Sequence, residues 1–443
     1  MQTENRKAIF GWSMYDWANS AFATTVMAGF FPLFFKDFWS AGIDKNVSSL
    51  YLGLANSIGS TVVALCAPVL GAIADRGSAK KKFLFLFAFL GVAMTSALFL
   101  VAQGHWIAAS LLYVLACIGF SGGNIFYDSL ITTVASERRV DFVSALGYSL
   151  GYLGGGILFA VNVWMVRSPE TFGFEGINQA VRFSFLTVGL WWAVFSLPIF
   201  LLVPEPGAGA EGSSLQKIRD GFSRFKATFH EIRHLKTIML FLAAYWLYID
   251  GVDTIIRMAV AYGKDLGFGS SDLILALLLV QFVGFPAALA FGYLGGKIGA
   301  RRSIFFAIAV YMGVCLWGAR MKTLTDFYLL AVFIALVQGG IQALSRSYYS
   351  RLIPANRSAE FYGFYNMLGK FAAVIGPTLM GTVGVLVSAI GFSEDTAARV
   401  SLSSISILFA AGGILFYFVD EKKGRAEAEF LGRNAEIPAS QES

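Results

Sequence analysis

The sequence predicts an all-α membrane protein in which twelve transmembrane helices form two six-helix bundles. Of its 443 residues, 56% are hydrophobic and only 14% are charged, whereas soluble domains carry about 25% charged residues. Twelve apolar stretches meet or approach the roughly 20 residues that a helix needs to cross a bilayer. Backbone groups in hydrocarbon must satisfy their own hydrogen bonds, so these stretches are predicted to be helices. They cover residues 8–35, 49–74, 83–102, 107–135, 142–165, 181–203, 237–261, 273–296, 302–320, 326–351, 362–388 and 399–419.

One long polar interruption, residues 204–236, divides the chain into two sets of six stretches. After Pro204 and a Gly/Ser-rich segment it carries apolar residues at three- and four-residue steps, with Lys and Arg on the other face. This pattern is typical of an amphipathic basic helix on a membrane surface. This segment is either a plain linker between the two bundles or an element that senses lipid or a partner. We therefore predict a bundle at 1–203, a linker at 204–236, a second bundle at 237–421 and a polar tail at 422–443.

The distribution of basic residues predicts the orientation. Most of the 34 Lys and Arg residues lie in loops that an even number of spans places on the same side as both ends. Short basic loops stay in the cytoplasm, so both termini are predicted to be cytoplasmic and the protein to lie in the cell (inner or plasma) membrane. The net charge of +6 is then explained by the excess of basic residues in the cytoplasmic loops. The predicted partners are the lipid bilayer and a small-molecule substrate, with no nucleic acid, and we expect a monomer.

The two halves of the chain repeat one another. In the first half Gly122-Gly123 precedes Asp128 in stretch 4, and in the second half Gly339-Gly340 precedes Arg346 in stretch 10. Two parallel repeats with a substrate path between them are a known plan for transporters. Further matching positions are Gly71, Arg76 and Lys80-Lys81 after stretch 2, and Gly292, Lys297 and Arg301-Arg302 after stretch 8.

Two segments carry a family resemblance. The segment Gly71 to Lys81, with Asp75-Arg76 at its centre, resembles the loop signature of the major facilitator superfamily. The first-helix segment Trp12 to Val26 resembles the hallmark of the "unknown major facilitator" family, which also contains the fungal vacuolar amino-acid effluxers linked to autophagy. The resemblance covers the whole chain. It implies the major facilitator fold and transport of small molecules, with amino acids foremost.

Charged residues lie deep in only some of the stretches. A charge at the bilayer centre costs ~2.5–3.5 kcal/mol even on the lenient insertion scale, so these residues must pair or face water. Asp16 with Asn19 in stretch 1, and Asp128 with Asn124 in stretch 4, lie about 10–12 Å from the cytoplasmic ends of their helices at 1.5 Å per residue. Because the two carboxylates share a depth, we predict that they bind substrate or protons. Hydrogen bonding between neighbouring helices is the alternative.

Stretches 7 and 10 add further candidates. Asp253 and Arg257 are four residues apart near the outer interface and suit a structural or gating salt bridge. Asp250 has no such charged partner at that spacing, which makes it the better substrate or proton candidate. Gln342 and Arg346 follow one face of stretch 10. Arg346 lies close to the cytoplasmic end, where it either gates the path or extends to the membrane surface.

Lys370 lies too deep in stretch 11 to reach the surface easily. A fixed cation opposite Asp16 and Asp250 suits a zwitterion, with the substrate carboxylate on Lys370 and its ammonium on an aspartate. An internal Lys–Asp bridge without a ligand is the alternative. At the end of stretch 2, the superfamily resemblance implies that Asp75 and Arg76 form a cytoplasmic gate lock.

Several chemistries have no sequence signal. No G-x-x-x-x-G-K-[ST] phosphate loop is present, the three cysteines are far apart inside apolar stretches, and no catalytic triad or metal-ligand spacing occurs. We therefore predict no enzyme activity, cofactor or metal. The sequence favours a secondary active transporter of small polar solutes, amino acids foremost, that works by alternating access with proton coupling. A transporter of another organic solute, a drug-type efflux pump and a non-transporting membrane sensor are the open alternatives.

Overall fold

The computed structural model is built from helices and describes residues 5–43, 45–77, 79–205, 235–265 and 267–434. Within these ranges twelve helices are long and apolar enough to cross a membrane, and they coincide with the twelve predicted stretches. They are α1 (Arg6–Ala21, continued by further helical turns to Trp39), α2 (Lys45–Gly77), α3 (Lys80–Ala97), α4 (Trp106–Ser129), α5 (Val140–Arg167), α6 (Ile177–Leu202), α7 (Lys236–Asp265), α8 (Ser270–Ile298), α9 (Ala300–Gly318), α10 (Leu324–Ser350), α11 (Ser358–Ala389) and α12 (Glu394–Ser404 and Ser406–Tyr417).

Helices α1–α6 form the N-half and α7–α12 the C-half. The halves meet where α2 packs on α11, α5 packs on α8 and α10, and α4 packs on α11. Twelve spans place the start of α1 and the end of α12 on one side of the membrane, which we call the terminal side. The opposite side is the distal side.

Glycines on α5 let α1 approach closely. A Cβ atom at Gly147 would lie 2.5 Å from Asp16 Oδ2, and one at Gly151 would lie 2.6 Å from Ser20 Oγ. The four-residue glycine spacing on α5 therefore permits the close helix packing expected of small residues in membranes. This contact fixes the depth at which α1 presents its polar face.

On the terminal side the two halves meet backbone to backbone. A Cβ atom at Gly71 of α2 would clash with the carbonyl oxygen of Ala359 on α11, and one at Gly363 would lie 2.6 Å from the carbonyl oxygen of Ala67. Glycine is required here because any side chain would separate the two helices. We call this contact the α2–α11 seam.

The linker and tail predictions are only partly within the described residues. Residues 206–234, which carry the predicted amphipathic helix, lie outside them. In the tail, Glu421–Asn434 form a further helix, α13. Its Arg425 pairs with Glu137 of the N-half at 2.8 Å, and Thr237 of α7 donates a hydrogen bond to Glu427. The tail predicted as merely polar therefore docks on the terminal side.

Candidate transport site

A cavity of about 810 Å³ lies between the two halves, within the range of small-molecule sites. Aromatic and aliphatic side chains from both halves form much of its wall, with polar groups set among them. The polar and charged lining residues are Asp16, Asn19, Ser20, Thr24, Lys36, Asn124, Asp128, Asp253, Gln281, Gln338, Gln342, Arg346, Asn366 and Lys370.

The cavity extends toward the distal side. Its lining continues to Lys36, Met321 and Phe327, which lie near the distal ends of α1, α9 and α10. On the terminal side the α2–α11 seam holds the halves together. The structure therefore shows a conformation that is closed on the terminal side.

Arg346 is the central cation of the cavity floor. Its guanidinium bonds Asp128 Oδ1 at 3.1 Å and lies 3.6 Å from Asp16 Oδ2. It also donates to the side-chain and carbonyl oxygens of Ser144, at 2.9 Å each. The side chain is only 2% exposed, so Arg346 does not extend to the membrane surface, which was one of its two predicted roles. Helix α10 turns it inward, where carboxylates compensate its charge.

Aromatic rings surround the same guanidinium. Its Cζ lies 4.7 Å from the ring centre of Trp12, 5.3 Å from that of Tyr127 and 4.4 Å from that of Tyr148. Trp12 donates to the carbonyl of Tyr127, and the Tyr127 hydroxyl donates to Asp16 Oδ2 at 2.6 Å. Cation–π contacts of this kind are strongest away from water. The rings therefore stabilise Arg346 and orient Asp16.

The aspartates predicted to share a depth do meet on Arg346, but their other partners differ. Asp128 Oδ2 accepts a hydrogen bond from Asn366 of α11 at 3.1 Å, so both of its oxygens contact the C-half. Asp16 takes its hydrogen bond from Tyr127 of its own half. Nearby, Asn19 donates to Asn124 at 2.7 Å and ties α1 to α4. Asp128 is therefore a link between the halves.

Lys370, Gln342 and Asp253 also line the cavity, and the predicted substrate role requires this of Lys370 and Gln342. Lys370 is partly buried and acts electrostatically on Asp128. The side chains of Arg257 and Arg76 lie outside the described residues, so the predicted Asp253–Arg257 bridge and the role of Arg76 stay predictions.

Asp250 is not among the residues that line the cavity, although its neighbour Ile249 on α7 is. Its side chain is fully buried and accepts hydrogen bonds from the backbone amides of Ile375 and Gly376, at 3.1 and 3.0 Å. The Thr254 hydroxyl, four residues along α7, donates to it at 3.2 Å. In this conformation Asp250 therefore holds α11 and has no direct access to the cavity.

Asp75 connects the two halves on the terminal side. Its carboxylate accepts from the backbone amides of Ala359 and Glu360 in the first turn of α11, at 3.2 and 2.8 Å, and pairs with Lys80 at 2.8 Å. Lys80 also donates to Ser358, which begins α11. First-turn amides have no intrahelical partner and carry partial positive charge, so a carboxylate stabilises them. This geometry suits the predicted gate lock.

A second link between the halves was not selected from the sequence. Asp141 of α5 pairs with Arg351 at 2.6 Å and accepts from the Ser347 hydroxyl at 2.6 Å. Asp141 begins the helix after stretch 4 and Arg351 ends stretch 10, so the position of both at terminal-side helix ends was the available signal. Both side chains are almost completely buried. The carboxylate contacts of Asp75 and Asp141 thus add to the α2–α11 seam in closing the terminal side.

Other site residues also escaped sequence reasoning. Asn366 lies four residues before Lys370 on the same helical face, a spacing that would have identified it. Tyr127, Tyr148 and Ser144 gave no comparable signal because aromatic and small residues are common throughout the spans. Among the residues described, no group of three or more His, Cys, Asp and Glu side chains could hold a metal ion.

Comparison with known proteins shows the family. Residues 39–429 match the family model described as "Vacuole effluxer Atg22 like". The uncharacterized MFS-type transporter YxiO of Bacillus subtilis is 38% identical over 414 residues, which cover 93% of this chain and 94% of that protein. Autophagy-related protein 22 of Eremothecium gossypii is 22% identical over 96% of this chain and 92% of its own length.

Solved structures show the same fold. The human organic anion transporter MFSD10 aligns with a TM-score of 0.70 at 16% identity, over 94% of this chain and all of that chain. The proton:xylose symporter XylE aligns with a TM-score of 0.68 at 14% identity, over 96% and 97% of the two chains. Both are transporters of the major facilitator fold, and at these identities the likeness concerns the fold alone. With the matched family model and the bacterial relative, these findings show that the chain is a multi-pass membrane transporter of the major facilitator superfamily and belongs to the Atg22-like vacuole effluxer family.

Proposed function

We propose that this transporter carries small zwitterionic solutes of the amino-acid class, by alternating access and with proton coupling. The observation that carries the proposal is that carboxylates and cationic side chains face one cavity between the two halves. A zwitterion presents one ammonium and one carboxylate, so it matches both signs at once. The description of the family as vacuole effluxers supports movement of small solutes out of a compartment.

Asp16 is the proposed partner of the solute ammonium. Among the described residues its contacts are made through Oδ2, to Tyr127 and Arg346, which leaves Oδ1 for a ligand. Asp128 is already engaged on both oxygens by Arg346 and Asn366. An ammonium that approaches Asp16 would therefore bind without breaking the link between the halves.

Lys370 is the proposed partner of the solute carboxylate. It lines the cavity on α11, in the half opposite Asp16. Its ammonium is compact and has three donors on a flexible stem, so it can follow a ligand. The solute would then bridge α1 of one half and α11 of the other.

Proton coupling is proposed to act through the carboxylates at the cavity floor. A proton on Asp128 removes the charge that attracts Arg346 and weakens the contact between the halves. A proton on Asp16 competes with the solute ammonium. Either event changes the relative stability of the two conformations, which is what coupling requires.

Binding of an acid and its amide tests the assignment of Lys370. L-Leucine and L-leucinamide share the ammonium and the side chain but differ in the carboxylate, and their binding to purified protein can be measured by calorimetry. Lys370→Ala should weaken leucine binding by ~2–5 kcal/mol, the range for truncating one partner of a buried charged pair. Binding of the amide should change far less.

Two further variants complete this experiment. Lys370→Arg should not restore leucine binding, because the wider, rigid guanidinium needs different space. Lys322→Ala is the matched control, since Lys322 is an exposed lysine in the loop before α10. Equal losses for acid and amide, or no loss for either, would make Lys370 a structural cation and remove the main support for a zwitterionic solute.

The orientation is part of the proposal. We propose that both termini are cytoplasmic, that the protein lies in the cell membrane and that it acts as a monomer. A topology reporter fused after Ser443, or inserted within 207–214, should report a cytoplasmic location. One inserted near Asp44 should report the outside. Opposite locations for the two cytoplasmic tags would contradict the span count.

Another organic solute is the second candidate. Tyr148, Tyr152, Tyr245 and Tyr365 line the cavity and would suit a larger, less polar molecule. Counterflow into proteoliposomes with labelled leucine, against a panel of sugars, nucleosides and organic anions, separates the two classes. Binding without counterflow for every compound would favour a membrane sensor.

A further inference from the structure

Helix α11 is held by three carboxylates at three levels. Asp75 binds the amides of its first turn, Asp128 binds its Asn366 side chain, and Asp250 binds the amides of Ile375 and Gly376. The first two carboxylates belong to the N-half. Asp250 belongs to α7, in the same half as α11 itself. Only the first two contacts therefore cross between the halves.

The Asp250 contact is built into both helices. Amides inside an α-helix normally bond the carbonyl four residues earlier, but Pro377 has no N–H and its ring crowds the carbonyl of residue 373. A proline inside a helix bends it, and just before Pro377 the amides of Ile375 and Gly376 donate to Asp250. Gly376 provides the room, since a Cβ there would clash with the Thr254 hydroxyl and lie 2.9 Å from Asp250 Oδ1. Asp250 and Thr254 are both fully buried.

We propose that Asp250 is a positioning residue whose carboxylate fixes the bend of α11 at Gly376-Pro377. It thereby sets where Asn366 and Lys370, earlier on the same helix, lie in the cavity. Charge-assisted hydrogen bonds from two amides and a hydroxyl offset the cost of burying this carboxylate in the membrane. Asp250 acts through α11 and does not touch the solute.

Alternating access gives this contact a pivot role. When the terminal side opens, the halves separate there, and the contacts of Asp75 and Asp128 with α11 must break. The Asp250 contact lies within the C-half, so it persists while the part of α11 before it, which carries the contacts to the N-half, moves. This inference rests on the proposed alternating access and is independent of the identity of the solute.

Distances between spin labels at Lys322 and Ile390 test the pivot. Both residues are exposed, and both lie in distal loops of the C-half, so rocking of the halves leaves their separation unchanged. A 20° change in the bend would move the distal end of the segment 377–389 by roughly 7 Å, at 1.5 Å per residue. The measurement uses the full chain in nanodiscs with Cys66, Cys117 and Cys315 replaced by serine.

Two variants break the contact from opposite sides. Asp250→Ala removes the carboxylate, and Gly376→Ala keeps it but displaces it with a methyl group. Both should shift or broaden the label distance on this scale. Gly381→Ala is the matched control, because a Cβ at Gly381 on the same helix has no atom within 4 Å, and it should keep the wild-type distance.

The effect on the cavity is measured at Lys370. In a Lys370→Cys background, the rate of modification by a water-soluble thiol reagent should change several-fold with Asp250→Ala and with Gly376→Ala. The rate for Asn19→Cys on α1 should not change. A merely structural role for Asp250 would reduce the yield of folded protein without this selective effect.

A wild-type label distance in Gly376→Ala would overturn the inference, whether or not Asp250→Ala folds. So would an unchanged reaction rate at position 370. A failure of leucine binding or counterflow with the label results as expected would refute the proposed solute class and leave the pivot standing.

Discussion

Neutralising the Asp128–Arg346 pair should open the terminal side of the protein. Asp128→Asn removes the charge that attracts the guanidinium at 3.1 Å. Asp128 lies on α4 of the N-half and Arg346 on α10 of the C-half, so the bond exists only while the halves are closed around it. Its loss therefore destabilises the closed conformation relative to the open one.

The structure sets the order of magnitude. Removing one partner of a buried pair costs about 3–5 kcal/mol, because the remaining charge is left uncompensated. The cost of Asp128→Asn should lie at the lower end of this range. Arg346 still has Asp16 at 3.6 Å and still donates to both oxygens of Ser144. The cost of Arg346→Gln should lie at the upper end of this range, because the substitution leaves Asp16 and Asp128 without the cation that they share. A cost of about 3 kcal/mol shifts the equilibrium more than a hundredfold.

Labels at Arg138 and Asn356 report the opening. Both residues are exposed, on terminal-side loops of different halves, so the distance between spin labels there should lengthen in the variants. The double variant Asp128→Asn/Arg346→Gln should cost less than the sum of the single variants, because neither charge is then left alone. Asp272→Asn is the control, since its contact is with Tyr328 in its own half. Wild-type distances in the single variants, or strictly additive costs, would refute the reasoning.

Three further predictions concern other contacts. Asp75→Asn should slow counterflow while leaving ligand affinity and protein abundance largely intact, because this residue joins the halves outside the cavity; a large loss of affinity with normal turnover would contradict it. Gly147→Ala should cost about 1–3 kcal/mol through overpacking against Asp16 and lower Tm by scanning calorimetry, whereas Gly313→Ala, in open space, should not. Asp128→Asn should abolish pH-driven accumulation yet preserve solute exchange, because a permanently neutral side chain needs no proton to cross; full accumulation in this variant would place the coupling elsewhere.

The helices and the depth of the first two carboxylates were readable from the sequence. Long apolar stretches have few alternatives in hydrocarbon, and counting 1.5 Å per residue from the helix ends placed Asp16 and Asp128 at one level. Arg346, which links them in the structure, could not be placed in the same way. Its place near the end of α10 left a gating position and a surface position both open, and the rings that enclose it come from α1, α4 and α5.

Asp250 shows why the remaining contacts were not predictable. Its partners, the amides of Ile375 and Gly376, are 125 and 126 residues away along the chain. The room that Gly376 leaves for the carboxylate has a use only when α7 packs against α11. A buried carboxylate in a span indicates that some partner exists, but not whether that partner is a proton, a solute or a helix.

The α2–α11 seam has a consequence for the thermodynamics of switching. Gly71, Gly363, Ala67 and Ala359 have no side-chain rotamers to order, so closing the seam carries almost no side-chain entropy cost. It also excludes little apolar side-chain surface from water when it closes. The seam itself therefore contributes little to the balance between the two conformations, which gives more weight to polar contacts such as those of Asp75 and Asp128. Reversing a 1:99 population ratio requires a difference in binding free energy of roughly 5.5 kcal/mol, which one small solute with two charged groups can supply.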